Sequence, residues 1–251
     1  MDDARKLSVL FVALESEQRP LQRSGVDLPL HRFGVGHANG RRAALRHEEA
    51  ACFGNIGLSG ALNEQLAPGD LVVARQIYAW NRHGEQICYE TDTGLADLLI
   101  KRIQKHGLKV HEGALACVTE PLLTPQAKSA MGSQTDALAV DMESAAIAGA
   151  AARLHKSFFC LRVICDPVHR ALHGKLLVGV DEQGNNRPGR LLLALLKNPW
   201  LLPSFIAMLR DYSQAAGTLT RLGAIISPFF LEVEKIKKIT GPDPAGSRPG
   251  L

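Results

Sequence analysis

Apolar runs of strand length alternate with helix-forming stretches along most of this chain, and this alternation limits the fold more than any other feature. LSVLFVAL (residues 7–14) is almost entirely apolar, as expected for a strand buried on both faces of a sheet. CFGNIGLSGAL and FFCLRVIC are further strand-like runs, while GLADLLIKRIQKHG carries its leucines on one helical face. The pattern predicts an α/β fold with a central twisted sheet, mostly parallel or mixed, flanked by helices.

The sequence changes character after Asp166. The stretch from residue 187 to 231 is rich in leucine and interrupted by Pro199 and Pro203, which predicts two or three short amphipathic helices. The prolines and charges argue against a clean transmembrane span. We therefore expect an α/β core over residues 1–180, a Leu-rich helical extension over 181–238 packed on the same domain, and a flexible tail over 239–251. The extension is interpreted as a layer on the sheet, an oligomer interface, or an apolar surface for a lipid-like ligand or a membrane.

Charge and cysteine content narrow the class of protein. The net charge of +4 favours anionic partners, but no Lys/Arg run with interleaved aromatic residues occurs, which disfavours a nucleic-acid binder. The five cysteines form no C-x-x-C pair, and most of them lie in apolar runs, where they are expected as small buried side chains in a reducing compartment. The short N-terminal apolar run is expected to be a core strand and not a signal peptide. These features predict a cytoplasmic protein.

Three short motifs point to chemistry that their context does not support. GVGHANG has a G-x-G-x-x-x-G spacing, and no acidic residue ends the next strand, so a dinucleotide site is disfavoured. GLSGA resembles a nucleophile elbow around Ser59, but the sequence leaves little room for the helix that must follow. His169 and His173 lie four residues apart without a third ligand at a fitting spacing, so we predict solvated histidines and no metal.

Two carboxylates stand where α/β folds bind ligands. Glu143 precedes the Ala-rich stretch SAAIAGAAAR, and Asp166 ends the next predicted strand. Either residue alone has an ordinary structural explanation, as a first-turn acid or as part of an Asp-Pro turn. Together they lie near the carboxyl edge of one sheet, which is where open α/β folds place their sites.

Four motifs in the same order resemble those of the nucleoside phosphorylase/nucleosidase superfamily, in particular the methylthioadenosine/S-adenosylhomocysteine nucleosidases. They are VALESEQRPL, NIGLSGALNEQLAPGDLVVA, VDMESAAIAGAA and LRVICDPV. The resemblance covers roughly residues 7 to 170. The last third is similar to the C-terminal part of the hopanoid-biosynthesis-associated phosphorylase branch, which is held to remove adenine from adenosylhopane.

The resemblance implies roles for particular side chains. Asp166 would be the acid that protonates the departing purine, and Glu17 would orient the attacking water. Glu143 would accept hydrogen bonds from the ribose hydroxyls. The other substrate-binding positions implied are Met142 under the ribose, Ser59 and Gly60 at the end of a strand, and Leu122 and Leu123 in the base pocket. Cys165 replaces the family's serine before the acid, which weakens one orienting bond, and Leu58 replaces a Ser or Thr.

The resemblance leaves the nucleophile open between water and phosphate. Arg19, Arg41 and Arg42 are the candidates for binding phosphate, while the Glu17 match favours water. No cofactor is expected, with phosphate as a conceivable co-substrate. The expected substrate is adenosylhopane, the alternatives being a soluble methylthioadenosine-type nucleoside or binding of a purine nucleoside without catalysis. A homo-oligomer, and contact of the C-terminal helices with the inner membrane face, are further expectations.

Overall fold

The computed structural model describes residues 8–25, 29–81 and 83–240, with side chains of the last helix described as far as Phe229. Of the tail predicted over 239–251, residues 239 and 240 belong to the last helix, and the rest lies outside the described residues. The elements in chain order are β1 (Ser8–Val12), α1 (Glu15–Arg23), β2 (Leu30–Arg32), α2 (His37–Leu45), β3 (Cys52–Ala61), β4 (Leu71–Trp80), β5 (Gln86–Glu90), α3 (Thr93–Lys105), β6 (Val110–Cys117), α4 (Pro125–Thr135), β7 (Ala137–Asp141), α5 (Ser144–Arg153), β8 (Ser157–Asp166), α6 (Pro188–Lys197) and α7 (Leu202–Thr240).

The eight strands form one mixed sheet that closes on itself. β3, β8, β4, β6 and β7 pair in that order, and β7 pairs back with β3. β1 and β2 extend the sheet from β3, and β5 extends it from β4. Parallel pairs predominate, with antiparallel pairs at β3/β7, β4/β5 and β4/β8. The predicted α/β class with a mixed sheet flanked by helices is confirmed.

Helices cover both sides of the sheet because apolar side chains of its strands point in both directions. On one side, small residues of α2 and α5 pack on Phe11 and Phe53. On the other side, α3 and α7 pack on Leu10, Leu71 and Leu161. Alanines dominate α5, which lets that helix approach the strands closely. The sheet therefore has the two apolar faces that its sequence predicts.

The C-terminal third differs from its prediction. Instead of two or three short helices, a short α6 is followed by the 39-residue helix α7. Pro203 does not interrupt α7 because it lies in the first turn, where the backbone N–H has no helical partner. The buried residues Ala215, Leu219 and Leu222 of α7 pack into the core. The break predicted at Pro199 is present, the one predicted at Pro203 is not, and the packing of α7 agrees with the interpretation of the extension as a layer on the sheet.

Candidate active site

The last residues of β3, Gly57–Gly60, form the floor of the candidate site. β3 runs parallel to β8, with Gly60 beside Asp166. It runs antiparallel to β7, with Gly60 beside Val140. The end of β8 and the segment that follows β7 therefore lie on opposite sides of this floor. This arrangement places the carboxylates predicted from the sequence around one short stretch of strand.

Glu17 lies at the start of α1 and is held by backbone N–H groups. Its Oε2 accepts hydrogen bonds from Ala13 N (2.8 Å) and Leu14 N (2.9 Å), and its Oε1 accepts one from Leu58 N of the floor (2.7 Å). The side chain is buried, and burial raises the pKa of the Glu17 carboxyl, although Arg162 and these N–H groups oppose the shift. A fixed carboxylate of raised pKa is suited to orienting a water molecule and accepting its proton.

Gly57 is required for this position of Glu17. A Cβ atom on Gly57 would lie 2.5 Å from Oε1 of Glu17 and 3.2 Å from a guanidinium nitrogen of Arg162. Any larger residue would displace one of these charged groups. The glycine-rich end of β3 thus gives the carboxylate room against the strand.

Arg162 forms the centre of a buried polar network beneath the site. It is 3% exposed, and its Nε donates to Oδ2 of Asp141 (2.7 Å) while its NH2 group donates to Asn55. Ser144 Oγ donates to the other oxygen of Asp141 (2.7 Å), and Asn55 Nδ2 donates to Phe11 O (3.1 Å). The network joins β1, β3, β7, β8 and α5, so it fixes the strand ends against one another. Sequence reasoning quoted these residues within motifs but assigned them no role.

Glu143 follows β7 and stands at the N-cap of α5. Its Oε1 accepts a hydrogen bond from Gly36 N (3.1 Å), where Gly36 has a φ of 94° that favours glycine. Burial, with the nearby negative charges of Asp141 and Glu17, raises the pKa of the Glu143 carboxyl to about 7, against the Gly36 bond and Arg162. Met142, the residue before it, is half-buried. Glu17 is thus close enough to raise the pKa of Glu143.

Asp166 ends β8 beside Gly60 and pairs with a lysine. A Cβ atom on Gly60 would lie 3.5 Å from Oδ2 of Asp166. The other oxygen, Oδ1, is 2.7 Å from Nζ of Lys128. Burial raises the pKa of the Asp166 carboxyl, and the hydrogen bond and charge of Lys128, followed by the charge of Arg170, oppose this shift. Lys128 lies on α4, a helix that the sequence analysis did not predict, and nothing in the sequence pattern links position 128 with position 166.

The remaining predicted substrate-binding positions lie around the same floor. Ser59 is 5% exposed, and its Oγ has no hydrogen-bond partner among the described residues. Leu122 is half-buried against a cluster that includes Val140. Leu123 accepts a hydrogen bond from Leu172 N through its carbonyl (2.8 Å), so the segment after β8 folds over this region.

The arginine and histidine candidates lie elsewhere. Arg19 is exposed on α1 and forms a 2.5 Å ion pair with Glu15, while Arg41 and Arg42 are exposed on α2. His169 and His173 are both exposed, as predicted for solvated histidines. Within the ranges that the structure describes, no group of three or more His, Cys, Asp or Glu side chains is arranged to hold a metal ion.

Comparison with known proteins shows the family to which this fold and these carboxylates belong. Residues 21–197 match the Phosphorylase superfamily, and the chain belongs to that superfamily. It is an enzyme of the kind that cleaves the glycosidic bond of nucleosides.

Individual relatives share this fold over most of the chain. The 5'-methylthioadenosine/S-adenosylhomocysteine nucleosidase of Maridesulfovibrio salexigens is 26% identical over 191 residues, which is 69% of this chain and 83% of that protein. The Helicobacter pylori nucleosidase of the same name has a TM-score of 0.64 at 18% identity, covering 92% of this chain and 97% of the other. Futalosine hydrolase of Helicobacter pylori has the same TM-score at 17% identity, again over 92% and 97%.

Proposed function

We propose that this enzyme cleaves the N-ribosidic bond of an adenine nucleoside and releases adenine. The observation that supports the proposal most directly is the grouping of three buried or half-buried carboxylates, Glu17, Glu143 and Asp166, around the floor Gly57–Gly60. Relatives named as methylthioadenosine/S-adenosylhomocysteine nucleosidases share the chain's family or fold, which favours adenine as the leaving base.

The chemistry of the bond explains why three carboxylates are useful. Its cleavage builds positive charge on the sugar and negative charge on the base, as in other glycoside cleavages. Asp166 has a raised pKa and can protonate the departing purine. Glu143, preceded by the half-buried Met142, lies where ribose hydroxyls can be bound and the cationic sugar stabilised. Glu17, held by three N–H groups, would orient the nucleophile.

We favour water as the nucleophile. Of the three candidates for binding phosphate, Arg19 is already paired with Glu15, and Arg41 and Arg42 are exposed on α2. The buried guanidinium of Arg162 beneath the site is bonded to Asp141 and Asn55. A phosphate ion is best bound by arginines free to offer two donors each. The fixed carboxylate of Glu17, in contrast, suits a neutral nucleophile that must lose a proton.

We further propose that the substrate is lipid-linked, with adenosylhopane the expected compound. The support is a set of exposed apolar side chains on α6, on the connection after it and at the start of α7, which we name the apolar face. Its residues are Leu192, Leu193, Leu196, Trp200, Leu202, Ile206 and Leu209. No residue of α6 is buried. Exposed apolar areas of this kind mark binding surfaces.

The segment that precedes α6 connects the candidate site with the apolar face along the chain. This segment contacts the base-pocket region at one end, where Leu172 N donates to Leu123 O (2.8 Å). At its other end, Asn186 N donates to Glu15 Oε2 (2.9 Å), two residues from Glu17 in sequence. α6 begins directly after it, at Pro188. We propose that this segment guides the lipid attached to a bound nucleoside from the site toward the apolar face.

We propose that the apolar face docks on an anionic lipid bilayer at the inner membrane surface. Between Pro188 and Arg210 the sequence contains three cations, Arg190, Lys197 and Arg210, and no carboxylate. Lys175 Nζ lies 5.7 Å from the centre of the Trp200 ring. Amphipathic helices with basic and aromatic residues bind at such surfaces. No single described helix is long and apolar enough to cross a membrane. One bent pair, α6 with the stretch Pro199–Phe229, has sufficient length and apolar composition when its two parts are taken together.

Product analysis by mass spectrometry tests the reaction and the substrate together. Adenosylhopane and methylthioadenosine are each incubated with the enzyme, with and without phosphate. We expect adenine and a free ribosyl product from adenosylhopane, at a higher kcat/KM than from methylthioadenosine. A phosphorylated ribosyl product would show that phosphate is the nucleophile. A preference for methylthioadenosine would support the soluble nucleosidase alternative, and no product from either, with binding retained, would support a non-catalytic homologue.

The predicted homo-oligomer belongs with these proposals. If the apolar face joins two copies of the chain instead of meeting lipid, the protein should dissociate when that face is made polar. Vesicle binding and size-exclusion chromatography of the wild type and of a polar variant of the face separate these two outcomes.

A further inference from the structure

Lys128 is a buried cation that the proposed roles leave unused. It is 0% exposed on α4, and its Nζ lies 2.7 Å from Asp166 Oδ1, 3.1 Å from Pro167 O and 2.9 Å from Arg170 O. An ammonium group has three donors, and here each has an acceptor. Burying a lysine is costly unless its charge is paired and hydrogen-bonded. Packing alone does not explain a charged side chain at this position.

Lys128 makes the two oxygens of Asp166 different from each other. Oδ1 is bound by the ammonium, whereas Oδ2 is the oxygen nearest to the position of a Cβ on Gly60, at 3.5 Å. The residue before the acid is Cys165, whose thiol is a weak donor. The lysine therefore supplies the strong hydrogen bond that fixes the carboxyl with one oxygen toward the floor of the site.

We propose that Lys128 is a positioning residue for bond cleavage, which holds Oδ1 of Asp166 so that Oδ2 carries the proton to the leaving base. This inference rests on the proposed function. The proton passes from Oδ2 to a ring nitrogen of the purine, and the electron pair of the breaking C1′–N9 bond passes to the base. Water forms the new bond to C1′ and loses a proton to Glu17. The carboxylate that remains is stabilised by the ammonium of Lys128, and solvent restores the proton after adenine leaves. Arg170 and Asp211 are the other charges that act on Asp166.

A change of leaving group separates this role from a purely structural one. Lys128→Met and the wild type are compared on an adenine nucleoside and on 4-nitrophenyl β-D-ribofuranoside, whose nitrophenolate leaves without being protonated. General acid assistance contributes about a hundred- to ten-thousand-fold. We expect kcat/KM of Lys128→Met for the adenine nucleoside to fall at least about tenfold, because part of the general acid assistance is lost. For the nitrophenyl riboside, kcat/KM should fall less than about threefold. Lys128→Arg, which keeps the cation, should recover part of the lost rate.

Each outcome of the comparison decides the role of Lys128. If Lys128→Met loses the same factor in kcat/KM on both substrates, the lysine only maintains the structure. If Lys128→Met is as active as the wild type on both substrates, the lysine has no role. If the Met variant does not fold by circular dichroism, Lys128→Gln, which keeps a donor but not the charge, gives the same comparison. If the wild type does not cleave the nitrophenyl riboside, an Arg variant no better than the Met variant overturns the proposal. A wild type that cleaves no adenine nucleoside contradicts the proposed function instead.

Discussion

Burial raises the pKa values of two carboxyl groups at the candidate site. Asp166 and Glu143 both have raised pKa values, but their neighbours differ: Asp166 has the cation Lys128, and Glu143 has the anions Asp141 and Glu17. Neighbouring groups of this kind separate an acid from a binding carboxylate. Substitution of Asp166 is therefore expected to affect catalysis, and substitution of Glu143 to affect the pH dependence of stability.

Asp166→Asn should abolish most of the activity without unfolding the protein. The amide keeps the shape of the side chain but cannot donate a carboxylic proton, so we expect kcat/KM for adenine release to fall about a hundred- to ten-thousand-fold. The exposed Asp97, which pairs with Arg75 on the surface, provides the matched control Asp97→Asn. Near wild-type release of adenine by a folded Asp166→Asn enzyme would remove this residue from the mechanism.

Glu143 gives the protein a pH-dependent stability. Its pKa rises from 4.5 to about 7 on folding, so the folded state holds a proton more tightly than the unfolded state. The contribution of this residue is fully favourable below pH 4.5 and is lost as the pH rises through about 7, by up to about 1.4 kcal/mol per pH unit. Glu143→Gln, which can still accept from Gly36, should match the wild type in acid and exceed it in thermal stability above pH 7. A difference in Tm between the two proteins that stays the same from acid to above pH 7 would contradict this assignment.

At the scale of elements, the approach of α1 to the end of β3 depends on the absence of a side chain at Gly57. In Gly57→Ala the new methyl would lie 2.5 Å from the Glu17 carboxylate, so the carboxylate must move or the strand must shift. Changes of this kind cost about 1–3 kcal/mol. We expect lower stability by chemical denaturation together with loss of adenine release.

Gly189→Ala is the matched control for this substitution. Gly189 lies in α6 with nothing within 4 Å of a Cβ, so alanine there should be neutral or slightly stabilising, by up to about 1 kcal/mol. If Gly57→Ala behaved like Gly189→Ala in both measurements, the close contact between Glu17 and β3 would be unimportant.

The elements differ in how far the sequence alone could predict them. β3, β8 and α5 carry periodic or continuous apolar patterns. The start of α5 and the end of β8 therefore located Glu143 and Asp166 correctly, on the two sides of the end of β3. α1 and α4 were missed because they are short and weakly apolar in sequence. α4 does carry a local signal, since Thr124 caps it and Pro125 begins it. The pairing of Lys128 with Asp166 is set by packing between distant segments, which no local pattern encodes.

The whole molecule combines a closed sheet, which holds the polar site, with an apolar face that lies on its C-terminal helices. The middle of α7 packs on the sheet through Leu219, Leu222 and Ile226. Its first turns instead expose Leu202, Ile206 and Leu209, which are spaced to share one side of a helix. The same helix therefore belongs to the core along its middle and to the surface at its start. This division permits the face to be altered without disturbing the fold.

Binding to vesicles measures what the apolar face contacts. We expect the wild type to co-sediment with vesicles containing anionic phospholipid, more weakly at high salt because Arg190, Lys197 and Arg210 are exposed. Replacing Leu192, Leu196 and Trp200 together with glutamine should reduce binding at least tenfold, since each fully buried apolar side chain is worth about 1.5–3 kcal/mol. The matched control is Ile87→Gln with Leu98→Gln, two exposed apolar residues outside the face.

The same triple variant distinguishes lipid from a second subunit. Cleavage of soluble methylthioadenosine should be retained, because no residue of α6 is buried and the carboxylates lie on other elements, while cleavage of adenosylhopane presented in vesicles should fall with binding. A wild type that ignores vesicles, combined with a triple variant that dissociates during size-exclusion chromatography, would show that the face joins copies of the chain. In that case the lipid-linked substrate would lose its main structural support, while Glu17, Glu143 and Asp166 would still form a site for a soluble adenine nucleoside.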